Sequence, residues 1–154
     1  MPLRALLDLR SRVVALGLHA VLVDGLLAGL ESPQSQVRYL CADAIDHLAY
    51  ERCAVPLERL LSDPVPRVRR AALHALSCDA CKLAPLTKPE DLFAKLSELA
   101  ENDPNARVRS AALEALANSC DPRAAPVLLE LLAHESNAGR KRFLSAKLER
   151  LSKK

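Results

Sequence analysis

The stretch Asp63-Pro64-Val65-Pro66-Arg67-Val68-Arg69-Arg70-Ala71-Ala72-Leu73-His74-Ala75-Leu76 decides the fold. Its opening reads as a helix start. An Asp side chain can cap orphan N–H groups, and Pro suits the first helical position, where no N–H is needed. Counted from Val68, small and apolar residues fall at offsets 3, 4, 7 and 8 (Ala71, Ala72, Ala75, Leu76), which is one face of an α-helix.

The pattern occurs twice more. Ser32-Pro33-Gln34-Ser35-Gln36-Val37-Arg38 lies 31 residues earlier and is followed by Leu40, Cys41, Ala44 and Ile45 at the same offsets. Asp103-Pro104-Asn105-Ala106-Arg107-Val108-Arg109 lies 40 residues later and is followed by Ala111, Ala112, Ala115 and Leu116. An apolar helix precedes each motif, as in Val55-Pro56-Leu57-Glu58-Arg59-Leu60-Leu61, and Ala125-Pro126-Val127-Leu128-Leu129-Glu130-Leu131-Leu132 is a further copy of that first helix. Its partner begins near Ser136, with a degraded apolar face of the kind a terminal cap shows. The unit is therefore helix, tight turn, helix. One pair cannot bury both apolar faces, whereas stacked pairs can.

The P-x-L-x-x-L-L of the first helix, with D-P-x-x-x-V-R-x-A-A-x-x-A-L across the turn and second helix, resembles the HEAT repeat family, in particular the short bacterial HEAT-like repeats also seen in phycobilin lyases. The resemblance covers roughly Leu26 to Leu148. It implies an all-α, right-handed α-solenoid of about four HEAT-like helix pairs. Residues 1–25 would form capping helices, broken near Gly17 to Ala20, and the repeats would occupy 26–50, 52–78, 89–118 and 121–152. It also implies an inter-repeat ladder of turn Asp and helix Arg, which assigns Asp63 and Asp103 with Arg38, Arg69 and Arg109.

Composition narrows the chemistry. Two Tyr, two Phe and no Trp in 154 residues argue against an aromatic cage or a base-stacking platform. Four Gly and no Gly-rich phosphate motif argue against nucleotide binding. No nucleophile triad, H-E-x-x-H or paired-carboxylate motif appears, so no catalytic residues are assigned. Net charge is only +3, yet residues 140–154 hold seven bases against one acid, Glu149. Asp8 and three Arg interrupt the apolar residues of the first twelve positions, unlike a secretory signal. The apolar run 13–30 carries His19 and Asp24 and is short for a membrane span. A cytoplasmic protein with reduced thiols and no membrane partner is expected.

Aligning the repeats shows which exposed positions stack. Five residues after the motif Arg stand Asp43, His74, Glu114 and Lys147; one after it stand Tyr39, Arg70, Ser110 and Phe143; nine after it stand His47, Cys78, Asn118 and Leu151. A His between Asp43 and Glu114 could move protons; the plainer reading is a mixed-charge surface that interlocks repeats. Cys78-Asp79-Ala80-Cys81 has a metal or redox spacing, and His47, His74, Cys78 and Cys81 could form a tetrahedral zinc site; the plainer reading is a pair of reduced thiols and no cofactor. Cys41 stands where the other repeats carry a core Ala and reads as packing.

The expected function is a non-enzymatic scaffold. It would bind a protein or peptide on the face lined by second helices, through Tyr39, Asp43, His47, Arg70, His74, Ser110 and Glu114. One alternative is nucleic-acid binding along a basic stripe of Arg67, Arg70, Arg107, Arg140 and Lys141, a kind of surface that HEAT-like DNA glycosylases use. Another is a lyase or lyase subunit related to the phycobilin lyases.

Overall fold

The structure is a computed structural model, and it describes residues 19–48, 51–78, 92–119 and 121–151. Among the described residues every regular element is helical. They form α1 (His19–Leu30), α2 (Ser35–Leu48), α3 (Ala54–Arg59), α4 (Pro66–Ser77), α5 (Leu92–Asn102), α6 (Ala106–Asn118), α7 (Ala124–His134) and α8 (Ala138–Leu151). Tight 3-10 turns, Glu51–Cys53 and Leu60–Ser62, extend α3 at its two ends. Four first-helix and second-helix pairs result: α1/α2, α3/α4, α5/α6 and α7/α8.

The chain divides into two compact units, residues 1–89 and 90–154, each holding two pairs. In the first unit α1 packs on α2, α3 on α4, and the two second helices α2 and α4 pack on each other. In the second unit α5 packs on α6 and α7 on α8, with α6 also touching both helices of the last pair.

The periodic face is buried at offsets 4, 7 and 8 in the second and third motifs, whereas offset 3 sits at its edge: Ala71 and Ala111 are half-buried and Leu40 is exposed. Ala72, Ala75 and Leu76 of α4, with Ala112, Ala115 and Leu116 of α6, are buried. Val68 and Val108 are fully enclosed, whereas Val37 of the first motif is half-buried. Leu57 of α3 and Leu128 of α7, at matching places in L-x-x-L-L, are fully buried. Pro56 and Pro126 stand third in their helices, inside the first turn, where a missing N–H costs nothing.

The turns correct one expectation. Asp63 and Asp103 do not cap their helices; each helix begins three residues later. The Asp63 carboxylate accepts from Val65 N–H and that of Asp103 from Asn105 N–H, both at 2.8 Å. Val65 (φ −95°, ψ 117°) and Asn105 (φ −95°, ψ 118°) are the N-caps. Pro64 and Pro104 lie in the turn; in the second pair Pro66 takes the first helical position. Asp followed by Pro makes a local side-chain turn that aims the chain into the helix, an alternative to direct capping.

A second correction concerns the first pair. Helix α1 runs unbroken across residue 25, so the described residues 19–25 belong to the first helix of this pair rather than to a separate cap. An apolar helix with two interior glycines still propagates when a packed partner supplies the stability. The remainder of the expected cap, residues 1–18, lies outside the described residues.

Candidate functional site

Second helices position the candidate site, and the motif arginines hold those helices in place. Arg38 Nη1 donates to Ser32 O at 2.8 Å, Arg69 Nη1 to Asp63 O at 2.7 Å and Arg109 Nη1 to Asp103 O at 2.7 Å. Each Arg thus reaches back six residues to the first carbonyl of its own motif. Arg69 is almost wholly buried, where a guanidinium must be hydrogen-bonded to be tolerated. Arg38 in addition spans to the next turn, donating from Nε to Asp63 Oδ2 at 2.6 Å.

With α2 and α4 so fixed, their outward faces enclose a groove of about 290 Å³ in the first unit. Helix α4 contributes Arg67, Arg70 and His74, at i, i+3 and i+7, on one wall. Helix α2 contributes Tyr39, Asp43 and Asp46, at i, i+4 and i+7, on the other, and Ala71 leaves room between them. The Arg67 guanidinium lies over the Tyr39 ring, 3.7 Å from its centroid, a cation–π contact that holds both side chains. Its Nη1 also lies 3.4 Å from Gln36 Oε1. His74 Nε2 sits 3.3 Å from Asp46 Oδ2, and His47 Nδ1 lies 4.0 Å from the same oxygen. Asp46 is only 3% exposed, so an exposed imidazole is oriented from beneath by a buried carboxylate.

Tyr39, Asp43, Arg70 and His74 therefore meet in one groove, with His47 beside the shared carboxylate. The partner of His74 is Asp46, one turn beyond the Asp43 that the row alignment placed beside it. A charged residue stands there at a position occupied by Ser77 and Ala117 in the next two repeats, and that irregularity is the signal available in the sequence. Ser110 and Glu114 lie on α6 of the second unit, both exposed. Within that unit Lys147 Nζ approaches Glu114 Oε1 at 3.4 Å and Asn118 Oδ1 at 3.5 Å, a pairing between aligned rows of adjacent second helices.

The residues of the basic set differ in their surroundings. Arg67 and Arg70 line the groove and Arg107 and Lys141 are exposed, but Arg140 Nε pairs with Glu135 Oε2 at 3.0 Å in the turn before α8. Of the zinc set, Cys78 follows α4, its N–H bonding to His74 O at 2.9 Å, and Cys81 lies outside the described residues. Among the described residues no group of three or more His, Cys, Asp or Glu side chains is arranged to hold a metal ion. Nor is any helix among them long and apolar enough to cross a membrane.

A search of curated proteins finds no match to the chain. The family profile for HEAT repeats matches residues 23–82 and again 78–146. HEAT repeats generally bind proteins as scaffolds and are typically non-catalytic. Four helix pairs with recurring D/S-P…V-R turns, and a profile match over most of its length, make this chain a member of the HEAT repeat family.

Proposed function

We propose that the chain is a non-enzymatic protein-binding module and that the groove between α2 and α4 is its recognition surface. The observation that carries this reading is the pairing of side chains inside the groove. Arg67 is held by Tyr39 and His74 by Asp46, so both walls present polar groups already ordered before a partner arrives. Ordering long side chains in advance reduces what binding must spend on it. Arg70 and Asp43, both exposed, supply opposite charges that suit a peptide segment or protein loop of mixed charge.

The test is capture of partners on the immobilised full chain from an extract of its source cells. Arg70→Ala with Asp43→Ala, both at exposed positions of the groove, is expected to weaken capture severalfold while thermal unfolding stays within the range of surface substitutions, about 0.5 kcal/mol. Undiminished capture by the double variant would remove the groove from the reading. Retention of DNA that falls steeply with salt would point instead to a phosphate partner.

A further inference from the structure

A second groove, of about 570 Å³, lies within the second unit between the first helices α5 and α7. Its apolar lining comes from Ala100 on α5 and from Val127 and Leu131, one turn apart on α7. Val127 and Leu131 are half-exposed although each is a large aliphatic side chain. Glu101 stands on the α5 rim and Glu130 on the α7 rim, both exposed. Neither side chain makes a hydrogen bond or ion pair among the described residues. Ser97, His134 and the Arg140–Glu135 pair complete the lining, so one of its three carboxylates is already neutralised and two are not, with the His134 imidazole the one other basic group.

The geometry points to this groove as a docking surface for a cationic amphipathic helix of another protein. Charge complementarity selects the occupant: an apolar strip between two acidic rims fits a helix with apolar residues at i and i+4 flanked by Lys or Arg. The walls select a helix over an extended segment. Both walls are helices whose backbone groups are spent internally, so they offer no ladder to an extended chain, whereas a helix satisfies its own N–H and C=O groups. Because the whole chain carries net charge +3, its overall field opposes a cationic ligand, and affinity for one must come from the local arrangement. This surface is separate from the α2/α4 groove and does not depend on it.

The probe is a fluorescein-labelled synthetic helix of Leu and Lys, 18 residues or about five turns long, titrated with the full chain and read by anisotropy. Saturable binding is expected. Glu101→Lys with Glu130→Lys should weaken it about tenfold or more, and the neutral pair Glu101→Gln with Glu130→Gln should weaken it less. Leu131→Ser should also weaken it. Glu98→Lys, on an exposed site of α5 outside the groove, should leave it unchanged. The matching Leu/Glu peptide should bind the charge-reversed variant better than the parent chain. Absence of saturable binding by the folded parent would overturn the proposal. So would equal affinity for the charge-reversed or neutral pair, or equal affinity for a scrambled peptide with no apolar face.

Discussion

Arg38 and Asp63 form a two-point ion pair between successive turns: Nε donates to Oδ2 at 2.6 Å and Nη2 to Oδ1 at 3.1 Å. The same carboxylate accepts Val65 N–H, so one buried side chain orders its own turn and ties it to the preceding repeat. Burial alone would push the Asp63 pKa up. The hydrogen bonds from Arg38 and Val65, with Arg69 nearby, outweigh it and hold the carboxyl below its ordinary value.

That pair makes acid stability depend on Asp63. A carboxylate whose folded pKa lies below its unfolded value, about 3.9, contributes stability in full above that value and loses it as pH falls through the folded one. Asp63→Ala should cost about 2 kcal/mol at pH 7, since it strips charged hydrogen bonds from Arg38 and leaves Val65 N–H unmet. Urea unfolding from pH 6 to pH 2.5 should show a shallower acid decline for Asp63→Ala than for the parent. Equal slopes would show that the pair contributes nothing to folding.

The two glycines of α1 should respond oppositely to alanine. Nothing stands near a methyl added at Gly25, so Gly25→Ala should stabilise by about 0.5–1 kcal/mol through helix propensity alone. A methyl at Gly29 would overlap Cys41 Sγ on α2. Gly29→Ala should therefore destabilise, and adding Cys41→Ala should recover most of the loss. Thermal unfolding of the three variants checks this; a double variant no better than Gly29→Ala would refute the close approach.

Thiol reactivity should separate by burial. Cys53 is fully enclosed, and burial pushes its pKa up to about 11, against a smaller opposing effect of Arg52. Burial raises the Cys41 thiol as well. Iodoacetamide at pH 8, followed by peptide mass mapping, should leave Cys53 unmodified in the folded chain and modify it fully in denaturant. Rapid labelling of Cys53 in the native state would contradict its enclosure.

Core positions should be costly and their outward neighbours cheap. Leu116→Ala, at a fully buried site, should cost about 3 kcal/mol. Leu129→Ser, on α7 at 56% exposure, should stay within about 0.5 kcal/mol. Denaturant midpoints measured side by side would decide it, and comparable losses would mean the assigned faces are wrong.

What the sequence by itself determined is the set of local periods. Offsets of 4, 7 and 8 from Val68 and Val108 mark buried faces, and Ser-Pro or Asp-Pro marks the turns of the first three pairs, because helical geometry turns spacing directly into direction. It also placed Tyr39, Asp43, Arg70 and His74 on neighbouring rows of adjacent second helices, since equivalent positions of such helices point the same way. Tertiary structure alone decided which partners meet across that spacing. His74 takes Asp46 rather than Asp43, Arg67 lies on Tyr39, and Gly29 makes room for Cys41. Those contacts depend on how far each helix is rotated about its axis and how closely two backbones approach. Both are set by the packing of side chains from separate segments, and no local period carries that information.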